Sequence, residues 1–224
     1  FNDTATTEIY TLSLHDALPI LLLINGSPHK KGCTYTALSE VAGQFEKNGI
    51  GSNIVHIGSQ PIRGCIACGA CRETGLCVFD DDPVNECSGL LKAADGLIVG
   101  SPVYYAAPNG ALCAFLDRLF YMKSGAYAYK PAAAVVSCRR GGASAAFDRL
   151  NKYFTISCMP IVSSQYWNSV HGNTPEEVRQ DKEGLQIMRT LGDNMAWLLK
   201  CIEAAKGTVP YPVREPWTPT NFIR

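Results

Sequence analysis

A doubly wound α/β domain on a five-stranded parallel sheet is the fold class this sequence predicts, and three observations carry it. The apolar runs are continuous rather than alternating, as in strands buried on both faces. Helically spaced segments separate them, as the crossovers of a parallel sheet require. Two of the runs end in the same turn, Gly26-Ser27-Pro28 and Gly100-Ser101-Pro102.

The elements follow in order. Ile20 to Asn25 is an apolar run that predicts the first strand. Thr34 to Asn48 carries Leu38, Val41 and Phe45 at helical spacing and stops at Asn48-Gly49. Ser52 to Ile57 predicts a second strand, and Ala94 to Gly100 a third. Asn109 can cap a helix whose apolar face is Leu112, Phe115, Leu116 and Leu119. Ala132 to Cys138 predicts the fourth strand, followed by a helix through Tyr153, and Ile156 to Ser164 predicts the fifth. Thr174-Pro175-Glu176-Glu177 reads as a capping box opening one helix that runs to Gly207. Five strands so arranged fit the flavodoxin-like order 2-1-3-4-5. A long cysteine-bearing loop, Gly58 to Glu86, is inserted after strand 2.

The flanks differ in character. Residues 1–19 are Thr-rich, show no continuation into the fold and look like translated adapter sequence, so they are expected to be a non-native extension. Residues 20–206 form the domain. Residues 207–224, with Pro210, Pro212, Pro216 and Pro219, continue neither a helix nor a central strand and are expected to be an arm across the surface or onto a second subunit.

Composition narrows the function classes. The 20 basic and 20 acidic residues cancel, so no positive field invites nucleic acid or an anionic membrane as the main partner. No apolar run approaches the roughly 20 residues of a membrane helix. Ten cysteines, without a secretory signal, point to reduced thiols in a cytoplasmic protein.

In an open parallel sheet, ligands bind beyond the carboxyl ends of the strands. After strand 1, the segment from Gly26 to Thr34 opens a helix whose first amides favour a phosphate, with Ser27, Thr34 and Thr36 offering hydroxyls. It matches neither the Walker spacing nor Gly-x-Gly-x2-Gly. After strand 3, Pro102-Val103-Tyr104-Tyr105 can lay amides and aromatic faces against a planar ring. After strand 4, Arg139-Arg140-Gly141-Gly142 turns toward the same edge.

The cysteine loop reads Cys65-x2-Cys68-x2-Cys71-x5-Cys77, with Gly64, Gly69 and Gly75 permitting tight turns. Soft thiolates at this spacing suit an iron–sulfur cluster. Zinc and a thiol–disulfide pair are the rivals, although structural zinc sites usually pair two C-x2-C knuckles across a longer spacer. Cys113, Cys158 and Cys201 lie in apolar stretches and are expected in the core. Cys138 ends strand 4, where it can serve core or site.

Gly26-Ser27-Pro28, Gly100-Ser101-Pro102-Val103-Tyr104-Tyr105 and Ala114-Phe115-Leu116-Asp117-Arg118 together resemble the NADPH-dependent FMN reductase family, and the cysteine loop resembles its iron–sulfur flavoproteins. The resemblance, over Leu21 to Arg224, implies an FMN phosphate held by Ser27, His29, Cys33, Thr34 and Thr36, with Cys33 standing where relatives commonly have Asn and His29 where they often have Arg. It implies an isoalloxazine ring on Pro102, Val103, Tyr104 and Tyr105, with Arg140, Gly141 and Gly142 beside it. It favours a [4Fe–4S] cluster on Cys65, Cys68, Cys71 and Cys77, and places Ser163 to Gly172 along the flavin pocket. The function implied is hydride transfer from NAD(P)H through FMN to a quinone, flavin, nitroaromatic or protein acceptor, in a homodimer or homotetramer. The alternative is a non-enzymatic electron carrier serving a ferredoxin-like partner.

Overall fold

The computed structural model describes residues 19–216, 218 and 220. The expected extension, apart from Pro19, therefore lies outside the described residues, as do parts of the C-terminal arm. Strands β1 (Ile20–Asn25), β2 (Gly51–His56), β3 (Gly96–Tyr104), β5 (Ala132–Cys138) and β6 (Ser169–His171) pair in parallel in the order β2-β1-β3-β5-β6. A short β4 (Ala107–Pro108) folds back antiparallel on β3, which makes six strands rather than five. The flavodoxin-like order holds for the parallel strands.

The helices are α1 (Cys33–Lys47), α2 (Cys71–Thr74), α3 (Val84–Ala93), α4 (Gly110–Lys123), α5 (Ala143–Ile156), α6 (Pro175–Gln180) and α7 (Lys182–Ala205). Leu21 and Leu23 face α1 and α7, in a core with Leu38, Val41, Phe45, Met188 and Leu191. Leu22 and Ile24 face the other way, onto Leu91, Phe115, Leu116, Phe120 and Phe154 of α3, α4 and α5. Alternate residues of one strand thus feed two cores, which is why the strand reads as unbroken apolar sequence.

Three expectations are corrected. The fifth strand is not Ile156 to Ser164. Ile156 ends α5 and is 80% exposed, Ile161 makes only an isolated bridge to Ala132, and the strand is Ser169–His171. The long C-terminal helix is two helices. The backbone turns at Asp181, whose carboxylate accepts from Gly184 N at 2.9 Å and from His171 N at 2.7 Å, capping α7 and tying it to β6. Pro19 belongs to the fold, since its carbonyl accepts from Gly51 N at 3.0 Å. The Thr174 cap stands, accepting from Glu177 N, but Glu177 reaches back to Asn173 N rather than to the cap residue itself.

The arm touches its own chain at Tyr129, whose hydroxyl donates to Pro212 O (3.3 Å). Tyr211 stacks on Tyr129 at 5.2 Å, and Arg214 lies over the same ring. No helix of the described residues is long and apolar enough to cross a membrane.

Candidate functional site

Four loops meet at the carboxyl edge of the sheet. Gly26 follows β1 with its amide bonded to Gly100 O (2.9 Å), and a Cβ there would overlap Leu112 of α4 at 2.4 Å. Ser27, 4% exposed, accepts from His29 N through its hydroxyl, and its carbonyl meets His56 Nε2 at 2.7 Å. Asn25 holds the loop from below, accepting from Ser27 N and donating to Lys30 O. The loop is therefore fixed by the ends of β1 and β2 before any ligand arrives.

It delivers the chain to α1, fifteen residues long, at Gly32, which gives the first-turn amides no side-chain cap; that turn carries no acidic residue. Uncapped amides with the positive end of a helix dipole suit a phosphate. Three predicted phosphate contacts sit otherwise than expected. The Thr34 side chain is 1% exposed and its hydroxyl pairs with Ser137 at 2.8 Å, so only its amide is left to face a ligand. Thr36 donates its hydroxyl to Gly32 O. Cys33 points its thiol at Gly172 O, and burial pushes that thiol up in pKa, so it is a neutral donor. His29 is exposed and Ser27 stays in the loop as predicted.

The second loop is a hairpin. β3 runs on through Pro102, Val103 and Tyr104 and returns as Ala107 and Pro108, with Tyr105 (φ 50°) and Ala106 (φ 60°) at its tip. Two left-handed residues suit the twist of a two-residue hairpin, but neither is glycine, so this flap is held at a cost in backbone energy. Tyr104 is half-exposed and Tyr105 fully exposed. Asn109 at the flap's base donates to Gly26 O (2.7 Å), caps α4 by accepting from Ala111 N and gives its own amide to Ser101 Oγ. It was predicted only as a cap. Its bond to the first loop spans 83 residues and leaves no local trace in sequence.

The third loop abuts the second. Gly142 (φ 85°) lies so close to the flap that a Cβ would stand 2.9 Å from Ala106 Cα and 3.2 Å from Val103 Cγ1; Gly141 has open space. Arg139 and Arg140 are exposed beside them. In the fourth, Gly172 N bonds Cys138 O while Gly172 O meets Cys33. Of the predicted Ser163–Gly172 lining, Tyr166 and Trp167 are exposed, Asn168 is buried and bonded to Ala134 O, and Ser169 to His171 form β6. Exposed His29, Lys30, Lys31, Arg139 and Arg140 give this edge a basic rim, with no ion pair to any of the five among the described residues. The edge fits a phosphorylated ring cofactor: uncapped amides at one side, an aromatic flap at the other.

Cys65, Cys68, Cys71 and Cys77 form a second centre. All four line one pocket with Ile66, Val78, Phe79, Arg118, Tyr121 and Met122. Ala67, Gly69 and Gly75 take left-handed backbone, which lets the loop curl around that space. Among the described residues no three His, Cys, Asp or Glu side chains stand close enough to hold a single metal ion; the quartet is set around a pocket. Two sulfurs already accept N–H groups, Cys65 from Ala67 N and Cys77 from Arg118 Nε (3.1 Å). Asn85 of α3 fixes the Cys77 backbone from both sides, accepting from its N and donating to its O. Soft ligands, N–H donors and a largely apolar lining fit an iron–sulfur cluster. Sequence reading missed Arg118 as part of this centre.

The remaining cysteines are partly corrected. Cys113 is half-buried, and Cys158 and Cys201 are exposed rather than in the core. Cys87 and Cys138 are the buried ones, and burial pushes Cys87 up to about 12. Neutral core thiols of this kind are poor ligands and poor nucleophiles.

Comparison with known proteins follows the same lines. The family model for NADPH-dependent FMN reductase matches residues 19–174. An iron–sulfur flavoprotein of Methanocaldococcus jannaschii is 30% identical over 188 residues, covering 80% of this chain and 97% of that protein. An iron–sulfur flavoprotein of Methanosarcina thermophila is 28% identical over 185 residues, covering 80% and 95%. Among solved structures, the WrbA-like flavodoxin of Agrobacterium tumefaciens superposes with a TM-score of 0.57 at 16% identity, over 83% of this chain and 99% of that one.

Proposed function

This chain belongs to the NADPH-dependent FMN reductase family, and from that premise we propose that it is an FMN oxidoreductase that takes hydride from NAD(P)H and passes electrons through a [4Fe–4S] cluster. The acceptor is a quinone, flavin, nitroaromatic or redox protein. The observation that carries the reading is the convergence of the uncapped α1 amides, the Pro102–Tyr105 flap and the Gly142 turn on one edge of the sheet.

FMN bound there would supply hydride and single-electron redox chemistry. The chain's own part is positional. The amides of Cys33 and Thr34, with the Ser27 hydroxyl, would hold the phosphate. Pro102 to Tyr105 would carry the ring and Arg140 to Gly142 border it, with Tyr104 and Tyr105 limiting water. The basic rim attracts the phosphates of the incoming dinucleotide. Cys65, Cys68, Cys71 and Cys77 would hold the cluster, a one-electron group. Exposed apolar residues on the arm, Val209, Tyr211 and Val213, support assembly as a homodimer or homotetramer.

Three measurements test this. Denaturing extraction should release FMN rather than FAD, because the first loop ends at one helix start with no dinucleotide fingerprint for a second phosphate. Ser27→Ala should weaken FMN by about 1.5–3 kcal/mol, a charge-assisted hydrogen bond; an unchanged Kd would remove Ser27 from the site. Anaerobic addition of NADPH or NADH should bleach the flavin absorbance. Exposure of Cys65 and Cys68 favours a second reading, an electron carrier. It is the correct one if neither dinucleotide reduces the protein but a reduced ferredoxin does.

A further inference from the structure

Arg118, on α4, is only 1% exposed, a position where a guanidinium carries a large desolvation cost. Its nitrogens are all spent on the cysteine loop. Nη1 donates to the Asp82 carboxylate and to Arg63 O (3.3 Å), Nη2 to Phe79 O (3.0 Å), and Nε to Cys77 Sγ (3.1 Å). The Phe79 ring lies 5.2 Å from the guanidinium carbon. These contacts grip the loop just before Cys65 and again around and after Cys77, so the segment bearing the quartet is closed from both ends onto one helix. The exposed Arg63–Asp81 pair beside it is the kind of surface contact that holds little.

An ion pair with Asp82 would need only a positive charge, which lysine supplies. Reaching two carbonyls, a carboxylate and a sulfur from one side chain needs the planar fork of arginine. We propose that Arg118 is the positioning residue of the cysteine quartet: it anchors both ends of the loop to α4 and presents an N–H to the Cys77 sulfur. An N–H aimed at a ligand sulfur stabilises the more negative, reduced state of a cluster and raises its potential. That second consequence rests on the cluster reading above; the anchoring does not.

Two variants separate the parts. Arg118→Met/Asp82→Leu removes the pair without leaving a buried charge, and Arg118→Lys keeps the charge but loses the fork. In the purified protein, hydrogen exchange is compared between residues 65–79 and β3. The double variant should exchange the loop amides at least tenfold faster with β3 unchanged, and unchanged loop protection would overturn the anchor. If the double variant does not fold, β3 loses protection with the loop, and Arg118→Lys decides by the same comparison. In iron-bearing Arg118→Lys the midpoint potential should fall, and a potential equal to wild type would overturn the donation to Cys77. A wild type without iron would remove the cluster reading and leave the anchor to be decided by exchange alone.

Discussion

Replacing any one of Cys65, Cys68, Cys71 or Cys77 by serine is expected to strip most of the iron from anaerobically purified protein while leaving its flavin in place. Wild type should hold about four irons per chain. Serine is a harder, far less acidic ligand than cysteine, so a cluster missing one thiolate is lost or shrinks to a smaller, oxygen-sensitive form. The four residues share one pocket, so each loss is a loss for the whole unit rather than a quarter of it. FMN should remain, because its edge is built by Gly26, Asn109 and Gly142, none of which touches the quartet's pocket. Cys113→Ser is the control: it stands outside that pocket, on α4, and should change neither iron nor flavin. Stoichiometric zinc, or no metal, in wild type would end the cluster reading and leave the flavin reading standing.

How far the sequence was legible depends on whether a residue's partners are local. β1 and β5 have the bounds read from the sequence, Ile20–Asn25 and Ala132–Cys138, because each is a closed apolar run between breakers. β6 was misplaced because its pairing needs only three residues, of which Val170 alone is apolar, while the more hydrophobic stretch before it ends α5 at Ile156 and then runs as a connection that meets the sheet only in an isolated bridge from Ile161 to Ala132. The break at Asp181 hid inside a helical apolar spacing from Val178 to Leu185. It is visible only when Asp181 is seen capping Gly184.

The same rule divides the two sites. The phosphate loop was found because a strand, a turn and a helix start are contiguous, yet the Thr34 hydroxyl turned inward to Ser137, 103 residues away. Arg118 reads as the charged end of a helix patch. The one signal was its place on the apolar face of α4, three residues after Phe115 and one before Leu119. A charge on that face needs a buried partner, and the partner, Asp82, lies 36 residues upstream.

Gly142→Ala should damage the flavin edge, whereas Gly141→Ala, one residue before it, should be nearly silent. Gly142 combines two constraints. Its φ of 85° costs a side-chain-bearing residue roughly 1–2 kcal/mol. An added Cβ would also stand 2.9 Å from Ala106 Cα, a backbone atom that cannot rotate away. Overpacking of that kind typically adds about 1–3 kcal/mol, for a total of roughly 2–5 kcal/mol and, in a chain of this size, a fall in Tm of roughly 4–20 °C. Relief can come only by moving the Tyr105–Ala106 tip, which already holds two left-handed residues and has little slack. The flap would then shift relative to the Gly26 loop, to which Asn109 ties it, and FMN affinity should fall at least tenfold. At Gly141 a Cβ meets nothing within 4 Å, so Gly141→Ala should leave both Tm and Kd within error of wild type. Equal behaviour of the two variants, in either direction, would mean that the flap and the Gly142 turn are not packed together in the working protein, and the site would lose the third of its four loops.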